Sequence, residues 1–230
     1  MALPRVLLLD LDEVVFRHPA AHAVVSRRVV GLMSRTLSLP HQAAGALNRQ
    51  LYEKHGHTLI GLRKELAVRL SVTDFNAAVY APETLAEVAR LPRHPHTAQR
   101  ASEAARLLIE MRRRDVDVYV FSNAPRLWCD FALGLVGLGG VFAPERLLTS
   151  DSCDLDTCDL VLKPSSLSYE IVQHAVRSSR IAFVDDSLRN LEAAPASWDT
   201  FVMCNLEPGQ VASSAGCSRA TPISRLDELV

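Results

Sequence analysis

Four short stretches of the chain carry side chains that can do chemistry together. Asp10 and Asp12 close an apolar run, Val6 to Leu9, near the start of the sequence. Ser122-Asn123, Lys163 and Asp185-Asp186 each stand at or just past the end of a further apolar stretch. The first run reads as a strand buried on both faces, as in the middle of a parallel sheet. Alternate residues of a strand share a side, so Asp10 and Asp12 both face one point beyond its end. Two carboxylates that close repel unless a cation lies between them, and a hard divalent ion, Mg²⁺, is the natural partner for oxygen ligands. Singly, each stretch has a plainer reading. Asp10 and Asp12 suit an ordinary turn. Ser122-Asn123 and Asp185-Asp186-Ser187 suit helix N-caps, and Lys163 suits a solvated surface. Jointly they fall on the carboxyl edge of one sheet, where open α/β sheets bind ligands.

That inventory suits phosphoryl transfer. Asp10 is placed to attack phosphorus and form an aspartyl-phosphate. Asp12 would protonate the departing alkoxide, then accept a proton from the hydrolytic water. Mg²⁺ would take an oxygen of Asp10, the main-chain carbonyl of Asp12 and an acid of the Asp185-Asp186 pair. Ser122 would donate to a phosphoryl oxygen, and Lys163 would offset the gathering negative charge.

The elements that must position these groups alternate through most of the chain. Strands are expected at 6–9, 116–121, 145–149, 181–184 and 200–203, the last of them closing the sheet. Helices are expected at 97–114, 125–138, 165–177 and 187–194. The buried stripe of the first includes Ala98, Ala101, Ala105 and Leu108. The second puts Leu127, Phe131 and Leu135 on one face and stops at Gly139-Gly140, and the third runs through Leu167, Ile171, Val172 and Ala175. Strand, helix, strand in this order defines an α/β fold with a doubly wound parallel sheet. Between Phe16 and residue 97 no convincing strand occurs. Helices are expected there at 19–38, from Pro40 to a stop at Gly56, at 58–70 (with Leu59, Leu62, Leu66 and Leu70 at helical spacing), 73–80 and 82–90. The chain therefore divides into a core, 1–16 plus 97–230, and an inserted all-helical cap, 17–96. Residues 151–159 read as a polar loop and 207–221 as an irregular tail.

In order, Asp-x-Asp-x-Val, Ser-Asn, Lys-Pro and Asp-Asp-Ser resemble the four motifs of the haloacid dehalogenase superfamily. The resemblance spans residues 6–191. It implies a Rossmann-like core, Asp10 as nucleophile, Asp12 as acid and base, Asp186 as the direct Mg²⁺ ligand and Asp185 as a second acid. Dehalogenases lack an acid at the position of Asp12, so the resemblance is to the phosphatase branch. A narrower likeness exists. His55-Gly56-His57-Thr58-Leu59-Ile60-Gly61-Leu62 resembles a Tyr-Gly-Thr-Thr-x-x-Gly-Leu segment in the cap of pyrimidine 5′-nucleotidase-like phosphatases. Asp185-Asp186-Ser187-Leu188-Arg189-Asn190-Leu191 resembles their Asp-Asp-Ser-x-x-Asn-Ile motif. This implies that His55 and Gly56 contact the substrate, together with Ser122, Asn123 and Lys163, and that Asn190 buttresses the acidic loop. Glu13 stands where those enzymes usually have Asn, and His55 and His57 replace a Tyr and a Thr.

The composition is that of a soluble globular protein. The 230 residues are 48% hydrophobic and 22% charged, with a formal net charge of −1. That balance gives no pull toward nucleic acid or anionic membrane. Arg112-Arg113-Arg114 closes a helix, where cations suit the dipole. Five cysteines without paired zinc spacing fit a reducing cytoplasm, and His94-Pro95-His96 reads as a linker. Strand-forming residues begin so near Met1 that no signal peptide is expected. The expected partner is a small phosphate ester, most plausibly a nucleoside 5′-monophosphate, with sugar phosphates and phosphoglycolate as alternatives. A catalytically silent scaffold and a phosphate-receiving signalling domain are the competing classes. Receivers are shorter and place their acceptor later in the chain.

Overall fold

The computed structural model describes residues 4–151, 162–205 and 219–230. Among them, six parallel strands form one sheet: β1 (Val6–Leu9), β2 (Asp117–Phe121), β3 (Leu147–Leu148), β4 (Ile181–Asp185), β5 (Asp199–Met203) and β6 (Thr221–Ile223). Their order is β3-β2-β1-β4-β5-β6. Val6 to Leu9 pair with Asp117 to Val120 on one side and Ile181 to Val184 on the other. Strand order reverses at β1, which makes its carboxyl end the switch point where such sheets open a cleft.

Every residue of β1 is buried, because both faces of the sheet are covered. Leu7, Leu9, Val118, Val120, Ala182 and Val184 point into one core and Val6, Leu8, Ile181 and Phe183 into the other. That is the two-residue period of a strand. Helices α6 (Pro95–Arg113) and α7 (Arg126–Leu135) cover the first face, and α8 (Ser166–Val176) and α9 (Leu188–Ala193) the second. Five helices stand between β1 and α6: α1 (Pro19–Leu37), α2 (His41–His55), α3 (Thr58–Leu66), α4 (Val72–Val79) and α5 (Pro82–Ala89). A third apolar cluster, from Val29 to Val79, lies wholly within them.

Several helical faces differ from the sequence expectation, and each has a local cause. The buried face of α6 is Arg100, Glu103, Ala104, Leu107 and Met111, not the stripe of Ala98, Ala101, Ala105 and Leu108. Arg100 and Glu103 pair at 2.7 Å, so two charged residues turn inward that a hydrophobic pattern assigns to solvent. In α7 the buried residues are Trp128, Cys129, Ala132 and Leu133, while Leu127 is 55% exposed. This helix stops early, because Gly137 at φ 73° closes it ahead of Gly139-Gly140. Helix α8 buries Tyr169 and Val176, whereas Ala175 is exposed. The Tyr169 hydroxyl donates to the Asn190 carbonyl at 2.7 Å, which fixes that face. Helix α3 ends at Leu66, where Ala67 turns left-handed at φ 51° and the Val68 amide donates back to the Leu62 carbonyl at 3.2 Å, and the Arg63 guanidinium holds the Leu70 carbonyl beyond it. Pro40 is the N-cap of α2 and not its first helical residue. Met203 does not end the sheet, since β6 pairs beyond β5. Apart from Asp151, the loop expected at 151–159 lies outside the described residues, as does most of the tail expected at 207–221.

Candidate active site

Asp10 follows β1 directly, Ser122 follows β2, and Asp185 ends β4. Their parallel order delivers all three to one edge. Lys163 arrives from the start of the α8 segment and is 1% exposed. Its ammonium reaches the Phe121 carbonyl at 2.8 Å, Asp10 Oδ1 at 3.0 Å and Asp185 Oδ2 at 2.7 Å. An ammonium has three protons, so all are engaged within the protein. Burial alone pulls the pKa of Lys163 down, but Asp10 and Asp185 more than offset this and hold it above the usual lysine range.

Each carboxylate has a distinct setting. Asp10 Oδ1 accepts from the Leu11 amide at 2.8 Å as well as from Lys163. Among the described residues nothing bonds to Asp10 Oδ2. Burial pushes Asp10 up to about 7 against the pull of Lys163, with Asp185 and Asp12 pushing the same way. Asp185 is fully buried and accepts from Lys163, the Ser187 amide and, on both oxygens, Asn190 Nδ2. Asp186 is exposed at the rim. One oxygen from each of Asp10, Asp185 and Asp186 lies within 4.8 Å of the others. Asp12 is outside that cluster. Its carboxylate accepts from Trp128 Nε1 at 3.0 and 3.2 Å, and burial lifts it to about 6 against that hydrogen bond.

The remaining residues singled out in the sequence divide in two. Ser122 is buried, and its Oγ accepts from the Ala124 amide at 3.1 Å, which leaves its hydroxyl proton to donate. The Asn123 side chain clamps Lys163 by its main chain, giving 2.9 Å to the carbonyl and taking 2.8 Å from the amide. These two line a cavity of about 410 Å³ with Asp10, Asp12, Lys163 and Asp186. His55 does not line it; its ring bonds Glu65 at 2.8 Å. Gly56 does, as do His57, Tyr52 and Tyr80 from the helical insertion. Burial pushes His57 down to about 4, and its Nδ1 caps α3 by accepting from Leu59 at 3.2 Å.

Gly56 is both a helix stop and a point of close approach. It sits at φ 74°, and a Cβ there would stand 3.1 Å from Arg189 Cδ and 3.3 Å from Pro164 Cδ. The Arg189 guanidinium also donates to the Glu53 and Lys54 carbonyls at the end of α2. Gly56→Ala is expected to cost about 1–2 kcal/mol from the left-handed backbone alone. Urea unfolding measures it, and a neutral result would mean that neither the left-handed backbone nor the close approach at Gly56 costs the fold anything.

Glu13 adopts φ 61°, a region that Asn tolerates and Glu seldom enters. The turn holds nevertheless, because the Glu13 amide donates to Phe16 O at 2.8 Å and Asn205 Nδ2 donates to Glu13 O at 3.0 Å. Sequence reasoning missed Trp128 and Asn205. A tryptophan in the first turn after Ser122 was the available signal, since a buried indole N–H generally finds an acceptor. Asn205 offered none.

Fold comparison places this architecture. The chain matches a dehalogenase in an intermediate complex over 100% of its length and 96% of that chain, with TM-score 0.59 and 15% identity. It matches CbbY from Rhodobacter sphaeroides in complex with phosphate (TM-score 0.63, 16% identity, 99% and 96% covered). It also matches YfnB from Bacillus subtilis bound to magnesium (TM-score 0.56, 18% identity, 99% and 97% covered). No protein-family model and no curated protein sequence matches. The fold is thus the α/β fold of haloacid dehalogenase-type proteins. Among the described residues no helix is long and apolar enough to cross a membrane.

Proposed function

We propose that this protein is a Mg²⁺-dependent phosphomonoester hydrolase working through an aspartyl-phosphate. The observation that carries the reading is the unequal treatment of two carboxylates at one cavity. Asp10 has one oxygen fixed by Lys163 and Leu11 and the other unengaged, while Asp12 is held by an indole. Asp10 Oδ2 attacks phosphorus, the P–O bond to the alcohol breaks, and Asp12 gives its proton to the departing oxygen. Water then attacks the phosphoryl group, its proton passes to Asp12, and the P–Oδ bond breaks to release phosphate and restore Asp10. Ser122 donates to a phosphoryl oxygen. An acid at position 12 separates this chemistry from dehalogenation, which has no leaving alkoxide to protonate.

The donor set fits Mg²⁺. Asp10, Asp185 and Asp186 present only oxygens, and one ammonium against three carboxylates leaves a deficit that a divalent cation matches. Asp185 already accepts four hydrogen bonds, so Asp10 and Asp186 hold the open lone pairs. When bound, Mg²⁺ neutralises repulsion between the carboxylate nucleophile and the phosphate. Added Mg²⁺ is expected to stabilise the fold by about 2.7 kcal/mol at a hundredfold excess over Kd. Asp186→Asn should lose most of that gain in a thermal melt, and an equal gain in the variant would remove Asp186 from the site.

Residues 17–96 act as the cap that selects the leaving group, with Tyr52, Phe75 and Tyr80 lining the cavity. With the likeness around Gly56, they favour a nucleoside 5′-monophosphate. Assay of nucleoside monophosphates against sugar phosphates and phosphoglycolate tests this. A preference for an acyclic ester would overturn the nucleotide reading, and silence toward every ester at millimolar Mg²⁺ would overturn the enzyme.

A further inference from the structure

Trp128 is 2% exposed in the first turn of α7, and the chemistry above uses it only as the group that holds Asp12. Its Nε1 lies 3.0 and 3.2 Å from the two oxygens of Asp12. The ring is fixed on several sides. Phe16 meets it edge-on at 5.8 Å, Phe131 packs at 5.8 Å, and Tyr80 packs at 5.4 Å from the end of α4. Phe16 is the last residue before the chain leaves for the helical insertion, and Tyr80 belongs to that insertion. The aim of the indole N–H therefore depends on how the insertion sits.

We infer that Trp128 is a positioning residue for the proposed acid and base, acting through Asp12, and that Tyr80 links it to the seating of the helices. This rests on the phosphatase reading. An indole nitrogen can only donate. The N–H lies within reach of both Asp12 oxygens; in the acid form the carbonyl oxygen is the better acceptor, so the indole holds that oxygen and leaves the hydroxyl to turn toward the ester. Without the N–H the carboxyl is free to rotate within its pocket. Transfer to the leaving oxygen then fails more often, although attack by Asp10 is untouched.

Leaving groups of different basicity read this directly. Phenoxide needs a proton as it departs, and 4-nitrophenoxide needs it far less. The comparison uses kcat/KM, which ends at release of the phenol and so excludes hydrolysis of the intermediate. Trp128→Phe keeps a ring and deletes the donor. It is expected to lower kcat/KM for phenyl phosphate roughly tenfold more than for 4-nitrophenyl phosphate, a fraction of the 10²–10⁴ that a general acid contributes, since Asp12 itself remains. In an Asp12→Asn background the same change should add less than about twofold. Tyr80→Leu leaves the indole in place and should shift the ratio in the same direction by a smaller factor, which keeps a test available if Trp128→Phe does not fold. Equal losses on both esters, or losses that multiply in the double variant, would overturn the inference alone. Silence of the wild-type chain toward these two and every other ester at millimolar Mg²⁺ would overturn the phosphatase reading and this inference with it.

Discussion

Asp10→Asn is expected to cut hydrolysis of 4-nitrophenyl phosphate by more than about 10⁴-fold, the scale on which loss of a covalent nucleophile is felt. The protein should stay folded. The amide oxygen can still accept from Leu11 and Lys163, and Lys163 keeps Asp185 as its charge partner. The change also removes one of three carboxylates crowded within 4.8 Å, which relieves repulsion when no cation is present. The melting temperature without divalent metal should therefore hold within a few degrees. Retained turnover in a folded variant would move the nucleophile to another residue. Asp12→Asn offers the contrast, because it leaves the attacking group in place and should spare esters with good leaving groups most.

Why was the edge of the sheet legible when several helical faces were not? The run before Asp10 is apolar at every position because both its faces are covered, whereas a strand with one face in water would alternate. Asp10, Ser122 and the Asp185-Asp186 pair then followed from strand order, while Lys163 reaches them from the segment just before α8. Arg100 and Glu103 defeat a hydrophobic count, since they are buried as a pair, with Asn205, Ser224 and Leu226 from far along the chain supplying further partners. Trp128 was readable as large and apolar but not as a donor to a residue 116 positions earlier. A three-residue strand containing Pro222 carries almost no periodic signal, so β6 is visible only through its pairing with β5. Similarly, the motif that implied His55 as a contact gives no hint of Glu65, which sits two turns into the next helix and takes the ring. Short-range pattern finds elements; the partners of buried polar groups come from chain segments that the pattern never compares.

Lys163→Met is where that distinction has its largest consequence for stability. Methionine fills a similar volume between the Phe121 and Phe183 rings, which lie 5.0 and 5.4 Å from the ammonium. Packing is thus nearly preserved, and what is lost is charge. Asp10 and Asp185 then share a buried site with no cation, and breaking one side of a buried pair costs about 3–5 kcal/mol. Such a loss is a large part of the 5–15 kcal/mol that holds a typical domain together. Urea unfolding in the absence of divalent ions measures it. Activity should fall as well, because Asp10 Oδ1 loses the donor that turns Oδ2 to the cavity. Adding Asp185→Asn to this variant removes one of the stranded charges, so it should recover more than half of the lost stability while turnover stays at or below the level of the single variant. Recovery of neither would mean that Lys163 acts by shape. Recovery of both would mean that Asp10 needs no lysine to aim it, and the division of labour between a fixed oxygen and an attacking one would have to be abandoned.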